Sequence, residues 1–216
     1  MGRSFADARR WMTVGTELLL DAVSGLGEDG FAEPTLLPGW TRKHLVAHVA
    51  ANADAVGNLV RWAATGVETP MYRSPDERAA GIAKGPTMSA CALDSWLHTS
   101  AEHLADAMGR LGAEQWRHEV VTAQGRTVPA SETPWMRARE VCVHAVDLDR
   151  GVGFGDLPDD FNEALGEDIL GLRQARTGGP AELPAVVAAA PLAEVTAWLA
   201  GRPHSIADAP ALGPWL

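Results

Sequence analysis

Residues 133–150, TPWMRAREVCVHAVDLDR, carry the pattern from which the rest of the chain can be read. Pro134 sits where the first turn of a helix tolerates proline, and Gly151 follows the end of the pattern. At about 100° per residue, Glu140 and His144 share one face, and Asp147 lies near the same line. Met136 and Val143 flank that line on one side, Val141 and Leu148 on the other. A polar stripe therefore runs inside an apolar surface. Buried charges must be paired or bound to a metal. A glutamate and a histidine on one face form half of a metal site.

Residues 41–65 offer the other half. Thr41 is placed to cap a helix. His48 falls on the same face as Leu45, Asn52, Val56 and Leu59, the expected inward face. His44, one turn earlier, reads as a first-turn surface residue or a supporting residue. If the two helices pack together, His48 meets Glu140 and His144. Two nitrogens and one oxygen suit zinc, and three protein ligands leave a fourth position open for chemistry. Each element alone has a plainer reading. A lone histidine on an apolar face is ordinarily a hydrogen-bonded core residue, and a Glu–His pair four apart is ordinarily a solvated helix pair. The combination is what points to a metal.

Working outward, helical spacing covers 4–26 and 88–111, which with the two helices above makes four long helices in the first 150 residues. That predicts a helical bundle. Residues 66–87 read as a long loop with a short helix near 75–83. Residues 118–129 read as two short strands or a looped excursion around Gln124-Gly125. Beyond a linker at 153–158, the spacing predicts a helix over 159–177, a strand over Leu183 to Ala190, a short helix over 191–201 and an irregular tail. The expected fold is mainly α: a bundle over 1–153, then a small α/β domain over 154–216.

Eighteen basic residues against 28 acidic ones give a formal charge of −10, with no basic run. Nucleic acid and anionic membranes are therefore not expected partners. No apolar run reaches the roughly 20 residues that span a bilayer. Residues 1–10 lack the apolar segment of a signal peptide, so a cytoplasmic location is expected. Cys91 and Cys142 are too few for a disulfide framework. Cys142 points away from Glu140 and His144, toward the core. Cys91, near the start of a helix, is open to a reactive or a structural reading. There is no phosphate loop, dinucleotide fingerprint or nucleophile elbow, so any nucleophile is expected to arrive on the metal. No apolar stripe is left over for a partner, and a monomer is expected.

Two stretches resemble a known family. Residues 39–75, GWTRKHLVAHVAANADAVGNLVRWAATGVETPMYRSP, and residues 122–148, TAQGRTVPASETPWMRAREVCVHAVDL, are similar to mycothiol-dependent maleylpyruvate isomerases. The likeness covers 5–157, weakens, and returns at AWLAGR (197–202) and the terminal Pro-Trp-Leu. It implies a DinB-like four-helix bundle followed by a small α/β domain. It implies a divalent metal, usually zinc, on His48, Glu140 and His144, the trio that the helix geometry selects. It also implies mycothiol as thiol cofactor, a catalytic arginine matched by Arg202, and a carboxylate contact from Arg78. The implied reaction turns cis maleylpyruvate into trans fumarylpyruvate in aromatic-acid breakdown: thiolate addition makes the double bond single, the bond rotates, and elimination restores the alkene. Residues 173–196 are shorter than the family pattern and rich in Gly, Ala and Pro, so strands of the C-terminal sheet are expected to be missing. A transferase that conjugates mycothiol to an electrophile, and a non-catalytic metal- or ligand-binding bundle, share the same bundle motifs.

Overall fold

The computed structural model describes residues 3–177 and 183–212. The chain divides into two compact units, Phe5–Gly151, and Val152–Leu216 together with Met1–Ser4. The first unit runs α1 (Phe5–Val23), α2 (Glu28–Ala32), α3 (Arg42–Thr65), α4 (Pro75–Lys84), α5 (Ala90–Gly109), β1 (Glu119–Val121), β2 (Thr127–Pro129) and α6 (Thr133–Asp147). The four long helices form the bundle. α1 packs chiefly on α6, α3 chiefly on α5, and α3 also meets α6. β1 and β2 make an antiparallel hairpin that pairs Val120 with Val128, turning at Gly125. α2 was not expected from the sequence. It places Glu28 to accept from Lys43 Nζ (2.7 Å) and from the Ala90 backbone (2.6 Å), tying α3 to the start of α5.

Two features fix α6, the helix with the polar stripe. On one side it lies hard against α1. A Cβ built on Gly15 would stand 2.9 Å from the Cys142 backbone nitrogen and 2.7 Å from Val141 Cγ2, so only glycine permits this approach. Trp11 and Trp135 meet edge-to-face above it, centroids 5.7 Å apart. On the other side, Arg42 at the start of α3 caps the end of α6. Its Nε donates to Leu148 O (2.9 Å) and its Nη2 to Asp149 O (3.1 Å). These carbonyls have no acceptor role left inside the helix. The start of α3 is thus locked to the end of α6.

The elements described in the second unit are helical, chiefly α7 (Asp159–Thr177), α8 (Ala185–Ala188) and α9 (Leu192–Leu199), and 202–212 are irregular. α7 packs on α9, with Phe161, Leu165 and Ile169 buried. Asn162 Nδ2 donates to Phe154 O (2.9 Å), and Trp198 Nε1 to Pro210 O (2.8 Å). The strand expected over Leu183 to Ala190 is a single helical turn instead. Ala188 N donates to Pro184 O (2.9 Å) and Ala189 N to Ala185 O (3.2 Å). A strand needs a neighbouring strand for its backbone groups, and no strand is present among the described residues of this unit. An alanine-rich segment satisfies those groups internally at little cost in helix propensity. The β component expected for this part of the chain is therefore absent among its described residues. The terminal Pro-Trp-Leu lies outside them. Among the described residues, no helix is long and apolar enough to cross a membrane.

Candidate metal centre

His44 is a capping residue. Reaching back from the third position of α3, its Nδ1 accepts the Thr41 backbone N–H (3.2 Å). One turn on, His48 projects from the face of α3 that meets α6. His48 is 6% exposed. Its Nε2 lies 3.1 Å from Glu140 Oε2. His144, one turn after Glu140, brings its own Nε2 to 3.4 Å from the same oxygen. One ligand atom from each of the three lies within 4.8 Å of the others.

These spacings suit a cation. Metal–ligand bonds of about 2.1 Å in tetrahedral geometry put neighbouring ligand atoms roughly 3.4 Å apart. The donor chemistry also fits, because the tautomer of His144 is set from outside. Asp147 Oδ2 lies 2.9 Å from His144 Nδ1, and Asp147 is fully buried. A carboxylate there keeps the proton on Nδ1 and turns the Nε2 lone pair inward, the usual support for a metal-binding histidine. The His48 ring is held differently. It meets the His144 ring edge-on (centroids 5.1 Å, 85°) and the Trp40 ring at 5.5 Å and 75°. Trp40 comes from the turn that leads into α3.

The electrostatics are those of a strongly coupled cluster. Burial pushes the Glu140 carboxyl up, but hydrogen bonds from His144 and His48 outweigh it and hold the group well below the usual carboxylate range. Burial pulls the His144 imidazole down, while Asp147 and Glu140 raise it further, to about 9.

His48 and Glu140 border a cavity of about 620 Å³, large enough for a small organic ligand. His48, Asn52 and Glu140 line it, with Met136 and Arg139 from α6, the segment 68–74 and the hairpin tip 121–125. Arg78 belongs to α4, and its side chain lies outside the described residues. Arg202 follows α9 in the second unit. Its backbone N–H donates to Ala197 O (2.9 Å) and its Nη1 to Ala200 O (2.6 Å). Cys142 is buried and Cys91 exposed; burial pushes the Cys142 thiol up.

Sequence reasoning missed two arginines on α6. Arg137 is buried (1% exposed), and Arg139 lines the cavity. Arg137 precedes Glu140 by three residues, so the helical arithmetic that paired Glu140 with His144 also brings Arg137 toward that face.

Comparison with known proteins gives the family. The family model described as mycothiol maleylpyruvate isomerase N-terminal domain matches residues 13–149, which include the whole trio. A crystal structure of the mycothiol-dependent maleylpyruvate isomerase is similar at a TM-score of 0.84 and 40% identity, over 93% of this chain and 90% of that one. A histidine-to-alanine mutant of that enzyme is similar at 0.84 and 39%, with the same coverage. No curated protein matches the chain. With a family model spanning the bundle and a 40% identical structure spanning nearly all of the chain, this protein belongs to the mycothiol-dependent maleylpyruvate isomerase family.

Proposed function

We propose that this protein isomerises maleylpyruvate to fumarylpyruvate with mycothiol as thiol cofactor, at a divalent metal held by His48, Glu140 and His144. The observation that carries the reading is the meeting of these three side chains beside a cavity, in a chain of this family. Zinc is the proposed ion, because two imidazoles and a carboxylate suit it and leave a position open. The bound metal would keep a coordinating thiol deprotonated near neutral pH.

The chain's own groups have separate tasks. His48 and His144 bind as neutral imidazoles, and Glu140 offsets part of the ion's charge. Asp147 holds the proton on His144 Nδ1. The cavity seats the substrate against the open side of the trio. Arg202 is assigned to a substrate carboxylate and to the developing enolate charge, and Arg78 to a carboxylate contact. The Arg202 assignment rests on the motif AWLAGR, and that of Arg78 on its place in the matched sequence just after MYRSP. A guanidinium fork matches a carboxylate in two parallel hydrogen bonds. Arg202→Ala should keep the metal and lose about 10²–10³ in turnover, the usual cost of removing a donor to developing charge. Normal turnover with full metal content would remove Arg202 from the mechanism. A cytoplasmic location and a monomeric state complete the proposal.

The deciding experiment follows the ultraviolet absorbance of maleylpyruvate with purified zinc-loaded protein. Conversion that needs mycothiol and regenerates it establishes the isomerase. Stoichiometric consumption of mycothiol establishes a transferase instead, and metal binding without either establishes a binding protein.

A further inference from the structure

Asn52 stands one turn after His48 on α3, is 6% exposed, and lines the same cavity as His48 and Glu140. Its neighbour across the helix pair is Arg137, which is 1% exposed. Arg137 Nη1 donates to Val49 O (2.8 Å) and to Asn52 Oδ1 (2.9 Å). A guanidinium has only N–H donors, so the amide must turn its oxygen toward Arg137. The orientation of Asn52, often ambiguous for an amide, is settled by that chemistry. What remains is the Nδ2 donor, on a side chain that borders the cavity.

The charge on Arg137 matters as well. Burial pulls its pKa down to about 10, with Glu140, Asp54 and Tyr72 acting against the fall, so it stays charged near neutral pH. Burying a full charge is costly, and its Nη2 has no hydrogen-bond partner among the described residues. A neutral donor would pin α3 to α6 with less penalty. A cation on the amide oxygen has a further effect: it polarises the amide and strengthens its N–H as a donor.

We propose that Asn52 donates a hydrogen bond through Nδ2 to an anionic oxygen of a dicarboxylate-class ligand in this cavity, and that Arg137 is the positioning residue that orients and polarises it. The proposal rests on the functional reading above for the class of ligand. In the isomerisation, the same donor would face carbonyl oxygen that gains negative charge as the double bond becomes single. Preorganised donors of this kind favour charge where it develops.

The test uses the full-length, zinc-loaded protein and maleate, a cis-dicarboxylate, titrated calorimetrically with no thiol present. Asn52→Leu removes the donor at similar size, and Asn52→Asp keeps an acceptor for Arg137. Both should retain zinc and bind maleate about 10- to 100-fold more weakly than wild type, the range for a hydrogen bond to a charged group. Thiol binding, read from the charge-transfer band of the cobalt-substituted protein on adding mercaptoethanol, should stay within about twofold of wild type. Unchanged maleate affinity in Asn52→Leu overturns the proposal. Parallel loss of maleate and thiol binding also overturns it, because Asn52 would then act only on the architecture. Absence of maleate binding by wild type overturns it too, whatever the protein does to maleylpyruvate. Isomerisation by wild type judges the functional reading separately.

Discussion

His144 and His48 approach the same oxygen of Glu140, yet the two regions that hold them are built in opposite ways. His144 belongs to the end of α6, where polar groups back it from behind. Its Nδ1 faces the fully buried Asp147, and the Arg42 guanidinium caps the carbonyls just beyond. His48 belongs to the second turn of α3, beside the cavity, where ring packing against Trp40 and His144 sets its orientation. One imidazole is aimed by a charge-assisted hydrogen bond, the other by shape. A hydrogen bond selects a tautomer as well as a direction, whereas packing selects only a direction. On the proposed metal centre, the closed region would set ligand basicity, and the open region would leave room for a ligand.

The comparison can be broken at its shared point. Glu140→Gln removes the charge that both histidines face, and zinc affinity should fall by about 10³-fold, roughly a third of the binding free energy of a three-ligand site. Competition against a chromophoric chelator reads this directly; retained affinity would mean that the trio is not the metal centre. The scaffold beneath is the next target. Gly15→Val drives a side chain into the α6 backbone and should destabilise the fold by about 2–3 kcal/mol in urea unfolding. No change would show that α1 and α6 can part without loss.

The two regions can then be separated. Asp147→Asn keeps the shape at His144 but weakens the acceptor, and zinc affinity should drop about 10- to 100-fold. Trp40→Leu removes the edge-to-face partner of His48 and should cost less, roughly 0.5–1.5 kcal/mol or up to about tenfold in the same competition. A larger loss from Trp40→Leu than from Asp147→Asn would mean that packing at His48 matters more than the hydrogen bond at His144.

The long helices were legible because each repeats its apolar positions over many turns. Leu45, Val56 and Leu59 on α3, and Val141 and Ala138 on α6, need a partner face, and the bundle supplies it. The trio was legible for the same reason: a polar stripe within an apolar face has few physical explanations. Leu183 to Ala190 was misread because eight apolar residues carry too little periodicity to separate a strand from a helical turn. Arg137 was overlooked because arginine is almost never fully buried without a partner. Its partners, Val49 O and the Asn52 side chain, lie more than 80 positions away in the chain.

The amino-acid sequence by itself determined which faces of α3 and α6 must be buried, and that His48, Glu140 and His144 stand on them. Helix periodicity is a local property, so it can be read without knowing the fold. The tertiary structure alone decided that the three side chains share one oxygen, that Asp147 backs His144, that Arg137 turns the Asn52 amide, and that a cavity opens beside the trio. Those facts depend on the separation and rotation of two helices. The close approach at Gly15 and the cap by Arg42 set both for α6, through residues distant in the chain.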